Sequence, residues 1–178
     1  MTAKEKNELL ALARATITAR VNGQSLPAVA KPTKGLESRS GCFVTIKRQG
    51  QLRGCIGCFV AERPLWQTVQ EMAVAAATRD PRFYPMQPMD LADFRLEISV
   101  LSPLQRIAAV EEIQVGRHGI YLIKGAAHGV LLPQVAIEYG WDRETFLRHT
   151  CLKAGLPENS WQKECEIYIF SAEVFEEA

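Results

Sequence analysis

The chain alternates between stretches whose apolar residues recur every three or four positions and stretches in which they recur every second position. The first spacing is typical of amphipathic helices, and the second is typical of strands with one buried face. Near the amino terminus, Leu9, Ala13 and Ile17 follow the helical spacing. Thr2 and Glu5 stand before them at the distance of a capping box. A helix is therefore predicted over about residues 3–20.

Two further stretches follow the helical spacing. Pro64 opens one of them, and an apolar stripe through Val69 and Ala76 predicts a helix of about 15 residues. Asp142 can cap a second helix that ends at Gly155. The apolar stripe of this second helix contains Cys151, so we expect that thiol in the core.

Strands are predicted in four places, two of which are hairpins. CFVTIKR and QLRGCIG flank the turn residues 49–50, and a second pair of apolar runs flanks residues 125–126. Residues 94–102 and 165–175 each alternate between apolar and polar positions, and we expect the second of them to pair with an earlier strand. Pro133 and Gln134 mark the end of the second hairpin. The fold class predicted is α+β, with helices packed on a mixed, largely antiparallel sheet.

The composition of the chain argues against several classes of function. With 178 residues, 47% of them hydrophobic, the chain is long enough for one domain with a sizeable core. Lysine plus arginine number 21 against 20 acidic residues, so no bulk field attracts nucleic acid or an anionic membrane. The charged amino terminus lacks the apolar core of a signal peptide, and five cysteines are an odd number for a secreted disulfide framework. A cytoplasmic location is expected.

The stretch LRGCIGCF contains two cysteines that have to be judged together. A two-residue turn would place Val44 opposite Cys55 and Cys42 opposite Gly57. Side chains alternate along a strand, so the sulfurs of Cys55 and Cys58 should diverge, which argues against a dithiol or a metal site. A turn that begins at Gly57 would rotate Cys58 inward, so metal or redox use of both thiols stays an alternative.

Cys55 alone has the surroundings of a reactive thiol. Arg53 lies two residues earlier, so the strand alternation places its guanidinium on the same face, where it would favour the thiolate. Gly54 and Gly57 allow a ligand or another backbone to come close. The competing interpretation is that Cys55 lines a buried face together with the apolar residues of the preceding strand.

Two other positions bear candidate chemistry. Asp80 precedes Pro81, so the chain must leave helical geometry in a corner that also presents Arg82. The pair can form a salt bridge that fixes the turn, or Arg82 can bind a carboxylate or phosphate. His118 stands at the entry of a strand, where an imidazole can reach a cleft or can simply be solvated.

Several stretches follow one another in a recognisable order. They are LRGCIGCF, the DPRF corner, LEISVLS, GRHGI, LLPQV, the segment from Trp141 to Leu147, and CLKAGLPENSW. Together they resemble the AMMECR-type domain, called protein A of the AmmeMemoRadiSam system in prokaryotes. The resemblance implies one α+β domain over residues 1–178. In that domain both chain ends build a larger lobe, and about residues 94–135 form a smaller β-rich lobe.

The resemblance also implies a site and partners. The residues implied to share the site are Cys55, Arg53, Asp80, Arg82, His118 and Gln134. Cys58 departs from the family pattern, whose LRGCIG stretch is usually followed by threonine or another residue that is not cysteine. The implied partners are a Memo-like protein and a radical S-adenosylmethionine enzyme.

Two hypotheses for function follow from these residues. The first is a small enzyme or cofactor-handling protein in which Cys55 is the nucleophile, His118 accepts a proton, and Arg53 or Arg82 anchors an anion in a cleft. The second is a non-catalytic interaction module whose LRGCIG stretch contacts a partner protein. The sequence specifies neither the substrate nor a cofactor, and it predicts no resident metal.

Overall fold

The computed structural model describes residues 1–177, which form two compact units. The first unit comprises Met1–Leu101 and residues 173–177, and the second comprises Ser102–Ala172. The helices are α1 (Ala3–Val21), α2 (Leu65–Thr78), α3 (Pro133–Glu138) and α4 (Arg143–Lys153). The strands are β1 (Cys42–Arg48), β2 (Gln51–Cys58), β3 (Phe94–Leu101), β4 (Gln105–Arg106), β5 (Gly119–Lys124), β6 (Ala127–Leu131), β7 (Glu166–Phe170) and β8 (Ala172–Glu176). The prediction of an α+β fold is confirmed.

In the first unit, α1 and α2 pack together and contribute with the sheet to one core. The strand order is β2-β1-β3-β8, and β1 runs antiparallel to both β2 and β3. Alternate β1 residues Cys42, Val44 and Ile46 are fully buried, and Leu96 and Ile98 of β3 are buried in the same cluster. Burying a side chain of this size contributes about 1.5–3 kcal/mol, so this face fixes the position of the strands that carry the candidate site.

The first helix forms as its sequence predicts. The Thr2 side chain accepts a hydrogen bond from the Glu5 N–H, and the Glu5 carboxylate accepts one from the Thr2 N–H, which completes the capping box. Asn22 ends the helix, and Gly23 takes the left-handed conformation (φ +68°) that glycine adopts without strain. The predicted helices that follow Pro64 and Asp142 are likewise present as α2 and α4.

The second unit has its own sheet, in the order β4-β7-β5-β6, and α4 packs against β5 and β6. Its core contains Ile120, Leu122, Phe146 and Leu147, all fully buried. Cys151 is also fully buried, as predicted from its place on the apolar stripe. Among the described residues, no helix combines the length and apolar character needed to cross a membrane.

The strands are distributed differently from the expectation of a single sheet. Residues 165–175 were expected to form one strand, but Ser171 separates β7 in the second unit from β8 in the first. The Ser171 N–H donates to the Ser102 Oγ, and the Ser102 N–H donates to the Ser171 carbonyl. Alternation of apolar and polar residues identifies a strand but does not specify its partner, so this division was not predictable from the pattern.

The unit boundaries also differ from the predicted smaller lobe at about 94–135. β3 is an inner strand of the first sheet, and the second unit continues through α4 and β7. Pro133 and Gln134 were expected to end a strand, whereas they begin α3. Proline is well suited to the first helical position because its missing N–H has no partner there anyway.

The hairpin of β1 and β2 forms, but the predicted register is wrong. Cys55 lies opposite Thr45 rather than Val44, and Cys42 lies opposite Cys58 rather than Gly57. The register shifts because a β-bulge leaves Arg53 without an opposite residue. The prediction assumed an unbroken ladder from the turn, so one extra residue displaced every later pair by one position.

Candidate thiol site at Cys55

Cys55 lies on β2, an edge strand of the first sheet, and its main-chain groups are held from outside the sheet. The Cys55 N–H donates to Asp80 Oδ2 at 2.9 Å, and Arg82 Nη2 donates to the Cys55 carbonyl at 3.3 Å. An edge strand normally leaves such groups to water or to another chain. The Asp-Pro-Arg corner thus acts as a clamp that fixes the backbone of Cys55 and covers this part of the edge.

The clamp depends on a close pair of charges. Arg82 donates from Nε to Asp80 Oδ1 at 2.9 Å and from Nη2 to Asp80 Oδ2 at 2.7 Å, so the predicted salt bridge is present. The Arg82 guanidinium, aided by the Cys55 N–H, holds the pKa of the buried Asp80 carboxyl well below its usual range. The same pairing raises the pKa of Arg82.

The Cys55 thiol is half-buried and has a hydroxyl neighbour. Thr45 Oγ1 donates to the sulfur at 3.2 Å from the directly opposite position on β1. Thr45 alternates with the buried residues Val44 and Ile46, so Cys55 lies on the other face of the sheet from the helices. The interpretation that Cys55 lines the buried face is therefore wrong.

Arg53 is engaged elsewhere in the first unit. It is buried, donates from Nη2 to the Tyr84 carbonyl at 2.8 Å, and places its guanidinium carbon 4.3 Å from the centroid of the Tyr84 ring. Its Nη2 also lies 3.5 Å from Asp90 Oδ2. These contacts stabilise the loop that follows the clamp. The strand alternation that placed Arg53 beside the Cys55 thiol does not hold, because Arg53 is the bulged residue.

The glycines on either side of Cys55 serve packing within the unit. A Cβ atom at Gly54 would collide with the Ala76 carbonyl of α2, and one at Gly57 would collide with the main chain and ring of β1 residues Cys42 and Phe43. The close approach expected at these glycines therefore occurs within the protein. The backbone of α2 comes close to Gly54, and strand β1 comes close to Gly57.

Cys58 lies in a different environment from Cys55. It faces Cys42 across the hairpin, and burial raises the pKa of both of these thiols. Because β2 stays extended to Cys58, the Cys55 and Cys58 side chains point to opposite faces. Within residues 1–177, no group of three or more histidine, cysteine, aspartate or glutamate side chains is arranged to hold a metal ion.

His118 and Gln134 belong to the second unit. The Gln114 N–H donates to His118 Nδ1 at 3.2 Å, so a neutral His118 ring has its proton on Nε2. Gln134 follows Pro133 in the first turn of α3 and is exposed. That these two residues share a site with Cys55 stays a prediction.

Sequence reasoning missed Thr45 as a neighbour of the thiol. The two residues become opposite only once the bulge at Arg53 is taken into account. A β-bulge adjacent to a glycine leaves no distinctive spacing in one sequence, although the residue pair Arg53-Gly54 offered a weak signal. Asp80 and Arg82 were found because proline at position 81 marked the corner.

Comparison with known proteins gives consistent matches along the chain. A family model described as AMMECR1 matches residues 10–175. The protein MK0488 of Methanopyrus kandleri is 43% identical, with 99% of this chain and 90% of that protein covered. The protein NEQ441 of Nanoarchaeum equitans is 38% identical, with 95% and 98% covered. The crystal structure of the uncharacterized protein PH0010 from Pyrococcus horikoshii has a TM-score of 0.87 at 36% identity and covers 99% of this chain and 93% of its own.

Proposed function

The chain belongs to the AMMECR1 family, and from this premise we propose that it is a small thiol-dependent enzyme or cofactor-handling protein with Cys55 as its nucleophile. One observation carries the proposal. The Cys55 sulfur accepts a hydrogen bond from Thr45 on the face of the sheet opposite α1 and α2, while Asp80 and Arg82 fix its main chain. A nucleophile held in one position by groups that do not themselves react is what covalent catalysis requires.

Cys55 has a hydroxyl donor and a cation in its surroundings. The hydroxyl of Thr45 donates to the sulfur, and the positive charge of Arg82 lies on the adjoining corner. The Arg82 side chain is 54% exposed although its carboxylate partner is buried, so its outer N–H groups can bind an anion. The substrate class that fits is a small molecule with an electrophilic carbon and a carboxylate or phosphate.

The proposed chemical step is a thiolate attack. The Cys55 sulfur forms a bond to the electrophilic carbon, and the displaced electron pair moves to the carbonyl oxygen or to the leaving group. Asp80 is a positioning residue in this scheme because it holds Arg82 and the Cys55 N–H. Arg53 stabilises the corner loop and takes no part in binding the anion.

We also propose roles for two residues of the second unit, His118 and Gln134. His118 was predicted to accept a proton, but its Nδ1 already accepts from the Gln114 N–H. In the neutral ring the remaining nitrogen, Nε2, is a donor, so we propose that His118 donates a hydrogen bond to the substrate. Gln134 keeps its predicted role as a substrate contact. His118→Asn should lower turnover while leaving the alkylation rate of Cys55 unchanged.

Alkylation tests the nucleophile directly. Each cysteine-containing peptide is quantified by mass spectrometry after timed exposure of the folded protein to iodoacetamide at neutral pH. We expect Cys55 to react several-fold faster than N-acetylcysteine and faster than the buried Cys42 and Cys151. A Cys55 that reacts no faster than N-acetylcysteine would remove the nucleophile from the proposal.

A matched pair of variants tests the role of the charge. Arg82→Gln should slow alkylation of Cys55 by about threefold or more, because the thiolate loses a neighbouring cation. Arg20→Gln changes an exposed arginine near the end of α1 and should leave the rate unchanged. Equal rates in the two variants would show that Arg82 does not support the thiolate.

A cytoplasmic location and the two partners remain part of the proposal. The resemblance to the AmmeMemoRadiSam system suggests that the protein acts with a Memo-like protein and a radical S-adenosylmethionine enzyme. Co-expression of the chain with each partner from one organism, followed by size-exclusion chromatography, tests the association. Independent migration of all three proteins, alone and as a mixture, would contradict it.

The alternative is a non-catalytic interaction module, and one observation favours it. Leu52, on the edge strand β2, is 43% exposed. Under this alternative, Leu52→Glu abolishes binding to the Memo-like partner and Cys55→Ser leaves cellular function intact. Gly54 is unsuitable for this test because a larger residue there disturbs the contact with α2. Under the thiol-dependent function, Cys55→Ser is the damaging variant.

A further inference from the structure

The second unit contains a cavity of about 610 Å³ that is separate from the residues around Cys55. One wall is residues 106–110, which run from β4 into a short 3-10 helix. The other wall is formed by residues between 161 and 167, where a second 3-10 helix leads into β7. Sites for small molecules typically enclose about 300–1,000 Å³, so the cavity has the size of a ligand site.

The walls of the cavity combine apolar residues with two residues of opposite charge. Ile107, Ile167 and the indole of Trp161 provide the apolar part, and Arg106 and Glu164 line the same space. Arg106 is 3.9 Å from a different carboxylate, that of Glu166, and both of those side chains are largely exposed. Such a loose surface pair is worth little, so Arg106 stays available to a ligand.

Two local features of the lining are energetically costly in the protein alone. The Trp161 Nε1–H is buried and has no hydrogen-bond partner among residues 1–177, a state that costs about 1–3 kcal/mol. Glu164 takes the left-handed conformation with φ +51°, which L residues seldom adopt outside tight turns. Strained backbone and unsatisfied donors concentrate at binding sites, where they fix groups for a ligand.

We propose that this cavity binds a zwitterionic aromatic small molecule of the α-amino acid class. The carboxylate of the ligand pairs with Arg106, its ammonium group pairs with Glu164, and its ring packs between Trp161 and Ile107. A purely anionic ligand would meet the Glu164 carboxylate and a purely cationic one would meet Arg106, so the zwitterion is the best electrostatic match.

Cys165 provides a reporter within the same lining. Its sulfur donates to the Ser160 carbonyl at 2.9 Å, and burial raises the pKa of its thiol. Its alkylation is therefore best followed with N-ethylmaleimide at mildly alkaline pH, where a larger fraction is thiolate. A ligand in the cavity covers this thiol, whereas Cys55 in the first unit is outside the cavity and serves as an internal control.

The experiment compares three related probes on the full chain. L-tryptophan has both charged groups, indole-3-propionate lacks the ammonium group, and tryptamine lacks the carboxylate. Saturating L-tryptophan should slow modification of Cys165 at least fivefold without slowing that of Cys55. Isothermal titration should give an affinity for L-tryptophan about tenfold tighter than for either of the other two probes.

Paired variants test which charged side chain of the protein contacts which charged group of the ligand. Arg106→Gln should weaken L-tryptophan and indole-3-propionate about tenfold and leave tryptamine unchanged, whereas Glu164→Gln should weaken L-tryptophan and tryptamine only. Trp161→Phe should weaken all three probes. Arg117→Gln and Glu138→Gln alter exposed charges of the same unit outside the cavity and should have no effect.

The outcomes separate clearly. Protection of Cys165 that follows the probe-specific pattern supports the proposal. Failure of L-tryptophan to protect Cys165 at low-millimolar concentration overturns it, and so does equal binding of the three probes or equal response to the two charge variants. The alkylation rate of Cys55 is measured in the same samples, so failure here leaves the proposed function of Cys55 to be judged by its own result.

Discussion

The two units use similar frameworks to present different chemistry. Each has a four-stranded sheet and a helix that approaches one strand at a glycine. In the first unit, the charges of Asp80 and Arg82 are directed to each other and to the main chain of Cys55. In the second unit, Arg106 and Glu164 line a cavity. The first unit therefore directs its charges at one strand, whereas those of the second unit border an open volume.

This difference explains why a search of the sequence for titratable residues finds a site such as that at Cys55 more readily than a cavity. A thiol, a carboxylate and an arginine near a proline corner are visible in a sequence because each residue type suggests its own chemistry. A cavity is formed by segments far apart in the chain, here 106–110 and 161–167, and its lining residues have little in common. We expect each unit to respond mainly to substitutions of its own residues.

The largest effect is expected from Asp80→Ala. The substitution removes the carboxylate that binds Arg82 and the Cys55 N–H, and leaves both of these donors without that partner. Because Arg82 is half exposed, we expect a loss of about 3 kcal/mol in the free energy of unfolding rather than the upper end for buried pairs. Hydrogen exchange by mass spectrometry should show the loss in β2.

Asp142→Ala is the control for this change in the second unit. Asp142 caps α4 by accepting from the Thr145 N–H at the surface, so its removal should affect exchange in α4 much less than Asp80→Ala affects β2. Loss of protection across both units in the Asp80 variant would show that the units are coupled.

A smaller loss of stability, similar in the two units, is expected when either of two glycines is replaced by alanine. Gly54 of β2 packs against the Ala76 carbonyl of α2, and Gly129 of β6 packs against the Thr150 carbonyl of α4. Alanine at either position should cost about 2 kcal/mol through overpacking, each in its own unit. Gly50→Ala provides a contrast because its added methyl group meets open space, although its φ of +75° adds local strain. Unit-resolved hydrogen exchange measures all three variants, and a global effect of Gly129→Ala would contradict the comparison.

The pH dependence of stability should come mainly from the first unit. The folded pKa of Asp80 is lowered, so its contribution is complete above the unfolded value of about 4 and is lost as the pH falls through the folded value. Between pH 6 and pH 3, the wild-type protein should lose about 1–2 kcal/mol more stability than Asp80→Asn. Urea unfolding at each pH tests this, and parallel curves for the two proteins would exclude Asp80 as the source.

The smallest effect is expected from Thr45→Val, which keeps the shape of the side chain and removes the hydroxyl next to the Cys55 sulfur. One neutral hydrogen bond is worth about 1 kcal/mol or less, so alkylation of Cys55 should slow about two- to threefold. The affinity of the second-unit cavity for L-tryptophan should be unchanged. An unaltered Cys55 rate would leave Arg82 as the main support of the thiolate.

The local elements could be predicted from the amino-acid sequence. Capping residues, apolar stripes and turn residues predicted α1, α2, α4 and both hairpins, because these features depend on neighbours a few positions away. The Asp80–Arg82 pair was also predictable, since proline at position 81 confines both residues to one corner. The AMMECR1 family was recognisable from motifs in their order along the chain.

Three features could not be predicted from the sequence: the register of β2, the division of residues 165–175 between two sheets, and the cavity of the second unit. A bulge at Arg53 shifts every later pair, so Cys55 meets Thr45 and leaves the buried face. These features depend on which segments meet across the fold, and the energy that selects them comes from packing between distant residues. Hydrophobic periodicity records which face is buried but not the partner that buries it.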